Sequence, residues 1–544
     1  MNEKAVIILG AGLMQKPAIC AAKELGFKTV VADGNPDAVC SKMADIFEPV
    51  DLKDKDGLVH LAEKIKEKGM IIAGVFTAGT DFSANTAYVA EHLGLFGHRY
   101  ESCLNASNKV RMRECFKKNG VPSPEFEEID EKRLEELLVL ARNNKIAFPK
   151  VIKPVDNMGG RGCRLVRSEE ELKTAVSCAI NNSRTRKAIF EDYMEGAEFS
   201  IDALIYNGTF TVTGFADRHI YYPPYFIETG HTMPSVADSK IKNELIATFA
   251  LGAKALGLTQ GVAKADIKYT KNGPMIGEIA ARLSGGYMSG WTFPLSSGCF
   301  LTKEALKISV GMEPDYILRN RKKIEWNPHQ SVKNSVQPFE LYELESKNVS
   351  AERAWLSIPG KIAEIRGLKE ASEVCGVEEV LPRAKNGDEV NFPRNNVEKC
   401  GNIITKASDR KNAEKAAYDA LNKITLILET NNKKTEDFLE KIELADEKGF
   451  PPSAFDVELD WSKICNIPAN AKIADFVPVE IKNVQNQICD WNHCSFARVV
   501  EKFDSIFPDH EELDGKKFWK SALRGSIQGM LYTAKKTIDG KKSE

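Results

Sequence analysis

The sequence is short of long apolar runs. Nowhere do about 18 apolar residues follow one another, the length a bilayer-spanning helix needs. An excess of charge is also missing: 75 Lys and Arg against 77 Asp and Glu leave a net charge of −2. That balance gives no electrostatic footprint for nucleic acid and no general attraction to an anionic membrane. The 12 cysteines are scattered without CxxC pairs, which predicts reduced thiols in a cytoplasmic protein. The opening MNEKAVIILGAG has too short an apolar stretch for a signal peptide and reads as a buried strand. No G-x-x-x-x-G-K-[ST] phosphate loop occurs. What is present, 544 residues with 43% hydrophobic and 28% charged content, describes a globular chain too long for one core, so three or four domains are expected.

The first stretch predicts a βαβ unit of parallel-sheet type: strand Lys4 to Leu9, turn Gly10-Ala11-Gly12, helix Lys16 to Leu25, strand Lys28 to Ala32, then Asp33. Position 15 is Gln, so the third glycine of a dinucleotide fingerprint is absent, and a structural or substrate-facing Rossmann-like domain is the favoured reading. After the strand Ile71 to Phe76 comes Thr77-Ala78-Gly79-Thr80-Asp81, at a strand end where open α/β sheets bind ligands. Thr80 and Asp81 are therefore candidate substrate contacts, with capping of the next helix as the alternative for Asp81. Ser107 and Gly120 are expected to cap the helix SNKVRMRECFKKNG. In PKVIKPVDNMGGRGCRLV, Lys153 ends an apolar strand, and three glycines follow in the loop. Such a loop lets backbone N–H groups approach phosphate oxygens while the lysine offsets their charge; an ordinary flexible hairpin is the alternative. Asp217 to Pro234, rich in aromatics and prolines, reads as a shaped loop offering Arg218, Glu228 and His231 to a polar substrate.

Gly261 to Gly290 organises the rest. AKADIKYT and MIGEIAAR read as two strands joined by Lys271-Asn272-Gly273. That loop pairs Thr270 with Pro274, and counting back places Asp266 opposite Glu278, their Cβ atoms about 5 Å apart. Opposed like charges call for a cation between them, and magnesium takes carboxylate and phosphate oxygens. The competing reading is a solvated face, to which Lys264 and Lys268 contribute.

Together, SNKVRMRECFKKNGVPSP, FPKVIKPVDNMGGRGC, IFEDYMEGAEFSID and GVAKADIKYTKNGPMIGEIAARLSGG, in this order, resemble the ATP-grasp carboxylate–amine ligases. This family includes biotin carboxylase and the carbamoyl-phosphate synthetase large subunit. FIETGHTMPS and the stretch Trp355 to Glu429 are similar to its L-amino-acid ligase branch. The resemblance covers residues from about 1 to 430 and implies an α/β protein with an ATP-grasp fold. Its expected parts are a Rossmann-like domain (1–106), an ATP-grasp domain (107–312, lid about 121–190), a C-terminal α/β subdomain (313–430) and a mostly helical tail (431–544) of unassigned role.

Carried across residue by residue, the resemblance implies that Lys109 and Lys153 contact ATP and that Gly159, Gly160 and Gly162 fold over its phosphates. Glu191, Asp192, Tyr193 and Met194 match the adenine hinge, and Glu198 the ribose-binding glutamate. Asp266 and Glu278 match the ligands of Mg2+ (or Mn2+), and Arg282 the catalytic arginine that steadies the transferring phosphate. Two departures stand out: Asp266 where Glu is common, and Ala280 where many members carry Asn. The implied reaction activates a small-molecule carboxylate as an acyl phosphate and passes it to an amine, in a protein that is often a homodimer in this family. Other ATP-grasp chemistry (carboxylation, thioester formation, a purine-pathway step), a nucleotide-binding regulator and a nicotinamide-dependent oxidoreductase are the alternatives. In the tail, Cys489, His493 and Cys494 invite a zinc reading that lacks a fourth ligand.

Overall fold

This computed structural model describes residues 3–325, 339–440 and 449–543, which divide into two compact units. The first holds Met1–Met158, Val166–His219 and His231–Ser350, the second Gly159–Leu165, Ile220–Gly230 and Ala351–Glu544.

The first unit opens with a parallel sheet in the order β3-β2-β1-β4, made of β1 (Lys4–Leu9), β2 (Lys28–Ala32), β3 (Ile46–Glu48) and β4 (Ile71–Phe76). The β1 run KAVIIL is buried from its second residue onward, as a parallel strand covered on both faces requires. Helices α1 (Lys16–Glu24), α2 (Lys55–Glu67) and α3 (Ser83–His92) belong to this layer. The side chain of Gln15 fills the space beside Gly10, where a Cβ would meet it at 3.0 Å. Asp33 accepts from Ala11 N at 2.7 Å and Asn35 N at 2.9 Å. Asp33, which completes a dinucleotide fingerprint, is thus spent on the turn, while Gln15, which departs from it, lies beside Gly10 and donates from Nε2 to the Ala78 carbonyl after β4.

Next come α4 (Tyr100–Ser107) and α5 (Lys109–Asn119). The cap of α5 is Asn108, one residue later than predicted; its Oδ1 accepts from Val110 N and Arg111 N, while Ser107 ends α4. Gly120 closes the helix at φ 64°, in the left-handed region that favours glycine. A small antiparallel sheet follows, β5 (Phe126–Ile129), β6 (Lys150–Pro154), β7 (Arg164–Val166) and β8 (Ala188–Asp192), with β8 between β5 and β6. Helices α6 (Glu131–Arg142) and α7 (Glu169–Asn181) share its core through Leu134, Leu138, Val176, Ile152 and Phe190.

The sheet that carries the candidate site contains β9 (Ala197–Tyr206), β10 (Thr209–Tyr221), β11 (Ile227–Met233), β12 (Gly261–Thr270) and β13 (Gly273–Ala280), in the order β13-β12-β9-β10-β11. Helix α8 (Ser239–Ala255) is capped by Asp238 and packs on β12 and β13. Strand period two decides the faces. Ile201, Ala203 and Ile205 on β9 and Ala263, Ala265 and Ile267 on β12 enter the core with Phe249 of α8. The alternate residues Glu198, Ser200, Asp202, Lys264, Asp266 and Lys268 therefore occupy the opposite face. The predicted loop from Asp217 to Pro234 is mostly strand: β10 runs to Tyr221 and β11 begins at Ile227. Tyr225 and Ile227 within it are buried while Tyr221 is exposed, and composition alone hid the strand periodicity.

In the second unit, strand Gly401–Ala407 pairs antiparallel with Val377–Pro382. Strand Gly360–Arg366 pairs with Glu389–Val390 and Thr425–Leu428. The tail is no separate layer. Phe450, Trp491, Phe496, Phe503, Trp519 and Leu531 lie in one hydrophobic core with Trp355, Phe392 and Ile403. The predicted helix from Thr435 is seen as Lys433–Glu440, and its continuation lies outside the described residues. Asp490 accepts from Asn492 N and Cys494 N, each at 2.9 Å, and His493 stacks on Tyr418 with ring centroids 4.3 Å apart. Among the described residues there is no cluster of three or more metal-ligating side chains. None of the described helices is long and apolar enough to cross a membrane.

Candidate active site

Asp266 does stand opposite Glu278, but by a different route from the one the sequence suggested. The turn is tighter, pairing Thr270 with Gly273 and Tyr269 with Pro274. A β-bulge then falls at Gly277, between the pairs Ile267–Ile276 and Asp266–Glu278, and restores the offset. The bulge has a partner of its own: Arg113 donates from Nη2 to the Gly277 carbonyl at 2.6 Å.

Around these two carboxylates the first unit gathers cations from four elements. Lys109, at the start of α5, lies 3.6 Å from Glu278 and donates to the Asn157 carbonyl at 2.8 Å. One helical turn on, Arg113 binds Glu191 Oε1 at 2.8 Å, and Lys153 of β6 binds Glu191 Oε2 at 2.6 Å. Arg218 bridges Glu198 at 2.6 Å and Asp266 at 2.9 Å. Lys264 pairs with Asp266. Lys268 reaches Glu198 at 3.3 Å and the Met194 carbonyl at 3.2 Å, and lies over the Tyr193 ring. Asp192 pairs with Lys150. The solvated-face reading of Lys264 and Lys268 is thus overturned: their side chains are 12% and 14% exposed and are held by site carboxylates.

Burial alone would raise the Glu278 carboxyl. Lys109, Lys264, Lys153 and Arg282 outweigh it and hold the group down at about 2, so Glu278 stays ionised. Glu191 is also lowered: burial opposes ionisation, and Arg113 with Lys153 overcome it. Arg282 lies just beyond the end of β13, buried, with Nη1 donating to the Leu283 carbonyl at 3.0 Å and no partner for Nε among the described residues. Ala280 faces Lys264 across the hairpin, so a lysine stands opposite the position where Asn is usual.

The donor set suits a hard divalent cation. Two ionisable carboxylates on facing strands can supply two oxygens, and phosphate and water the rest, as magnesium sites are commonly built. The surrounding positive charge suits the phosphates themselves.

Of the candidate substrate residues, Asp81 does not cap α3, whose first residue is Ser83 and whose cap makes no side-chain bond. Burial raises the Asp81 carboxyl against the pull of Arg282, Lys109 and Arg184, which puts it within electrostatic reach of the cation cluster. Its neighbour Thr80 bonds Thr77 Oγ1 at 2.8 Å. His231 is fully buried with Nε2 2.7 Å from Thr292 Oγ1. Glu228 belongs to the second unit, as do Gly159, Gly160 and Gly162. These three glycines have φ of 71°, 77° and 71°, a backbone that other residues resist.

Sequence reading missed Arg113 and Asp202. Arg113 was findable, since it stands four residues after Lys109 on the same helical face. Asp202 continues the period of Glu198 and Ser200 on β9. It is fully buried, accepts from Ser284 Oγ at 2.7 Å, and has no partner for Oδ1 among the described residues. Burial pushes its carboxyl up to about 7, against the Ser284 hydrogen bonds and the Lys264 and Arg282 charges. A raised acid binds its proton more tightly folded than unfolded. Stability from this group is therefore full below its ordinary value near 3.8 and is lost as pH rises towards about 7. Asp202→Asn should flatten that fall, narrowing the difference in Tm between pH 5 and pH 7.5, read by circular dichroism. An unchanged difference would show that Asp202 ionises freely in the fold.

Residues 146–290 match the ATP-grasp domain, and residues 354–429 match the L-amino acid ligase C-terminal domain 2. Among similar proteins is the carbamoyl phosphate synthase large chain, C-terminal section, of Methanocaldococcus jannaschii. It is 25% identical over 373 residues, or 62% of this chain and 57% of that protein. Carnosine synthase 1 of Homo sapiens is 22% identical over 342 residues, covering 59% of this chain and 41% of its own length. The chain thus spans about half the length of these relatives. The crystal structure of an L-amino acid ligase from Bacillus licheniformis has the same fold. Its TM-score is 0.63 at 20% identity, over 79% of this chain and 99% of that one.

Proposed function

This chain carries an ATP-grasp domain followed by the C-terminal domain of L-amino acid ligases, and from that premise we propose that it is an ATP-dependent carboxylate–amine ligase. Its substrates would be a small carboxylate, an amino acid being the first candidate, and an amine. The observation that carries the reading is the pair Asp266–Glu278, opposed on one hairpin and ringed by Lys109, Lys153, Lys264, Arg218 and Arg282.

A carboxylate is a poor acyl donor because its leaving group would be oxide. In the proposed reaction a carboxylate oxygen attacks the γ-phosphorus of ATP, the bond to the β-phosphate oxygen breaks, and ADP leaves. The amine nitrogen then attacks the acyl carbon, phosphate leaves, and the amine's surplus proton passes to solvent. The chain's share is positioning and charge stabilisation. Lys109 and Lys153 would hold phosphate oxygens, and Arg282, buried and with no partner for Nε among the described residues, would meet charge on the transferring group. Glu191 to Met194 and Glu198 would seat the nucleoside. Asp266 and Glu278 would hold a divalent cation, which when bound supplies a positive charge to the phosphates. The glycine loop would keep water from the acyl phosphate.

A screen of ADP and phosphate release across the common amino acids and small carboxylates, with mass spectrometry of the products, tests the reading. One or more pairs should release ADP and phosphate in step with a new amide. Phosphate release without any condensed product, whatever the pair, would count against ligation. Nicotinamide absorbance in the same wells tests oxidoreductase activity.

A further inference from the structure

The second unit joins three segments that are far apart in sequence at a single residue, Asn396, through its backbone and its side chain. Asn396 donates from its backbone N–H to the carbonyl of Gly159, in the glycine loop, at 2.9 Å. Its side-chain Oδ1 accepts from the backbone N–H of Glu228, on β11, at 2.8 Å. Its own carbonyl accepts from Arg383 at 3.1 Å. We propose that Asn396 is a clasp that makes the glycine loop and the Glu228 segment move as one element. Resting on the ligase reading, the loop over the phosphates and the strand offering Glu228 to a carboxylate or amine substrate would then order together.

The surroundings are built for this. Glu398 fixes the turn that presents Asn396, accepting from Arg394 N at 2.8 Å and from Asn395 Nδ2 at 2.7 Å. Lys399, buried, donates to the Glu228 carbonyl at 2.8 Å. Packing is close: a Cβ at Gly159 would meet Val397 at 3.3 Å, and one at Gly160 would lie 3.8 Å from Asn396 N. Beyond the glycines, Leu165 N donates to the Pro224 carbonyl at 2.8 Å, so the two segments also meet at a second point. The tail backs the arrangement. Phe450 stacks edge-on to Tyr225 and Phe392, centroids 4.8 and 5.6 Å away, and Trp491 to Phe392 at 5.2 Å. Residues on either side of the clasp, Tyr225 near Glu228 and Phe392 near Asn396, thus lean on the C-terminal extension. This gives that extension a role in holding substrate-facing segments.

The chemistry of the side chain separates the clasp from ordinary packing. Asn396→Ala removes the acceptor, whereas Asn396→Asp keeps an oxygen that can accept from Glu228 N. In the full chain without nucleotide, hydrogen exchange over 224–232 and tryptic cleavage after Arg161 report on the two segments separately. Asn396→Ala should speed both by about fivefold, the worth of one hydrogen bond, and Asn396→Asp should restore wild-type rates in both. Loosening confined to 224–232, with the Arg161 cut unchanged, would overturn the clasp; so would equal loosening in the Asp variant. MgATP is then added to wild type as a separate arm. If it protects neither segment, the nucleotide reading of the loop fails, while the clasp stands or falls on the nucleotide-free rates.

Discussion

Glu278→Gln should abolish carboxylate-dependent ADP release, a loss of at least about 10³-fold in kcat, since it strikes charge stabilisation in the transition state. The substitution keeps size and shape, and removes one of two anionic oxygen donors from the facing pair Asp266–Glu278. Its effect on the fold has a definite sign. Glu278 is held at about 2 from an ordinary 4.5 because Lys109, Lys264, Lys153 and Arg282 overcome its burial. A depressed carboxylate contributes stability that is present above its ordinary value and is lost as pH falls towards about 2. At neutral pH the glutamine variant therefore leaves four cations short of a counter-charge and should be less stable by about 2 kcal/mol, a figure reduced for partial solvent exposure. That gap should close in acid. The paired measurements are steady-state ADP release and the denaturation midpoint at pH 7 and pH 3. Turnover at the wild-type rate would remove Glu278 from the site, whatever the stability did.

How much of this was visible in the sequence depends on which physical rule was in play. The Asp266–Glu278 pairing was read from a three-residue turn that the hairpin does not have: the tighter turn shifts the register by one, and a bulge at Gly277 that no residue announces shifts it back. Gly277 is unremarkable in sequence; its meaning comes from Arg113, which is 164 positions away. Lys264 and Lys268 looked like a wet face because lysine usually is exposed. Their ammonium groups are instead claimed by Asp266, two residues along the same strand face, and by Glu198, which only the pairing of β9 with β12 brings near. The stretch Asp217 to Pro234 misled through composition, since prolines and aromatics at the ends of β10 and β11 resemble a loop. The tail was illegible for a related reason. Its helices show the expected period, but which core their apolar faces join is a long-range fact, and they join that of Trp355 and Phe392.

Arg113→Met should cost about 3–5 kcal/mol of stability, the usual result of removing one partner from a fully buried ion pair. Arg113 is 0% exposed and Glu191 2%. Burial would raise the Glu191 carboxyl, and Arg113 is the largest influence that keeps it ionised, with Lys153 second. Without the guanidinium, Glu191 keeps one cation, and the Gly277 carbonyl loses its donor at the bulge beside the hairpin carboxylates. Local opening should therefore appear in hydrogen exchange of α5, β8 and the Gly277 bulge before the chain melts as a whole. A pH effect follows from the direction of the shift. Stability from Glu191 is present above its ordinary carboxylate value and lost below it, so the variant should fall furthest behind wild type near neutrality and least in acid. The double variant Arg113→Met with Glu191→Leu separates fold from site, because replacing a buried pair by apolar groups is often neutral or favourable. It should recover most of the lost protection while leaving MgATP binding impaired, since Lys153 would have lost the carboxylate that positions it. A single-variant loss below about 1 kcal/mol would mean that Lys153 alone suffices to hold Glu191 charged, and that Arg113 serves the bulge rather than the pair.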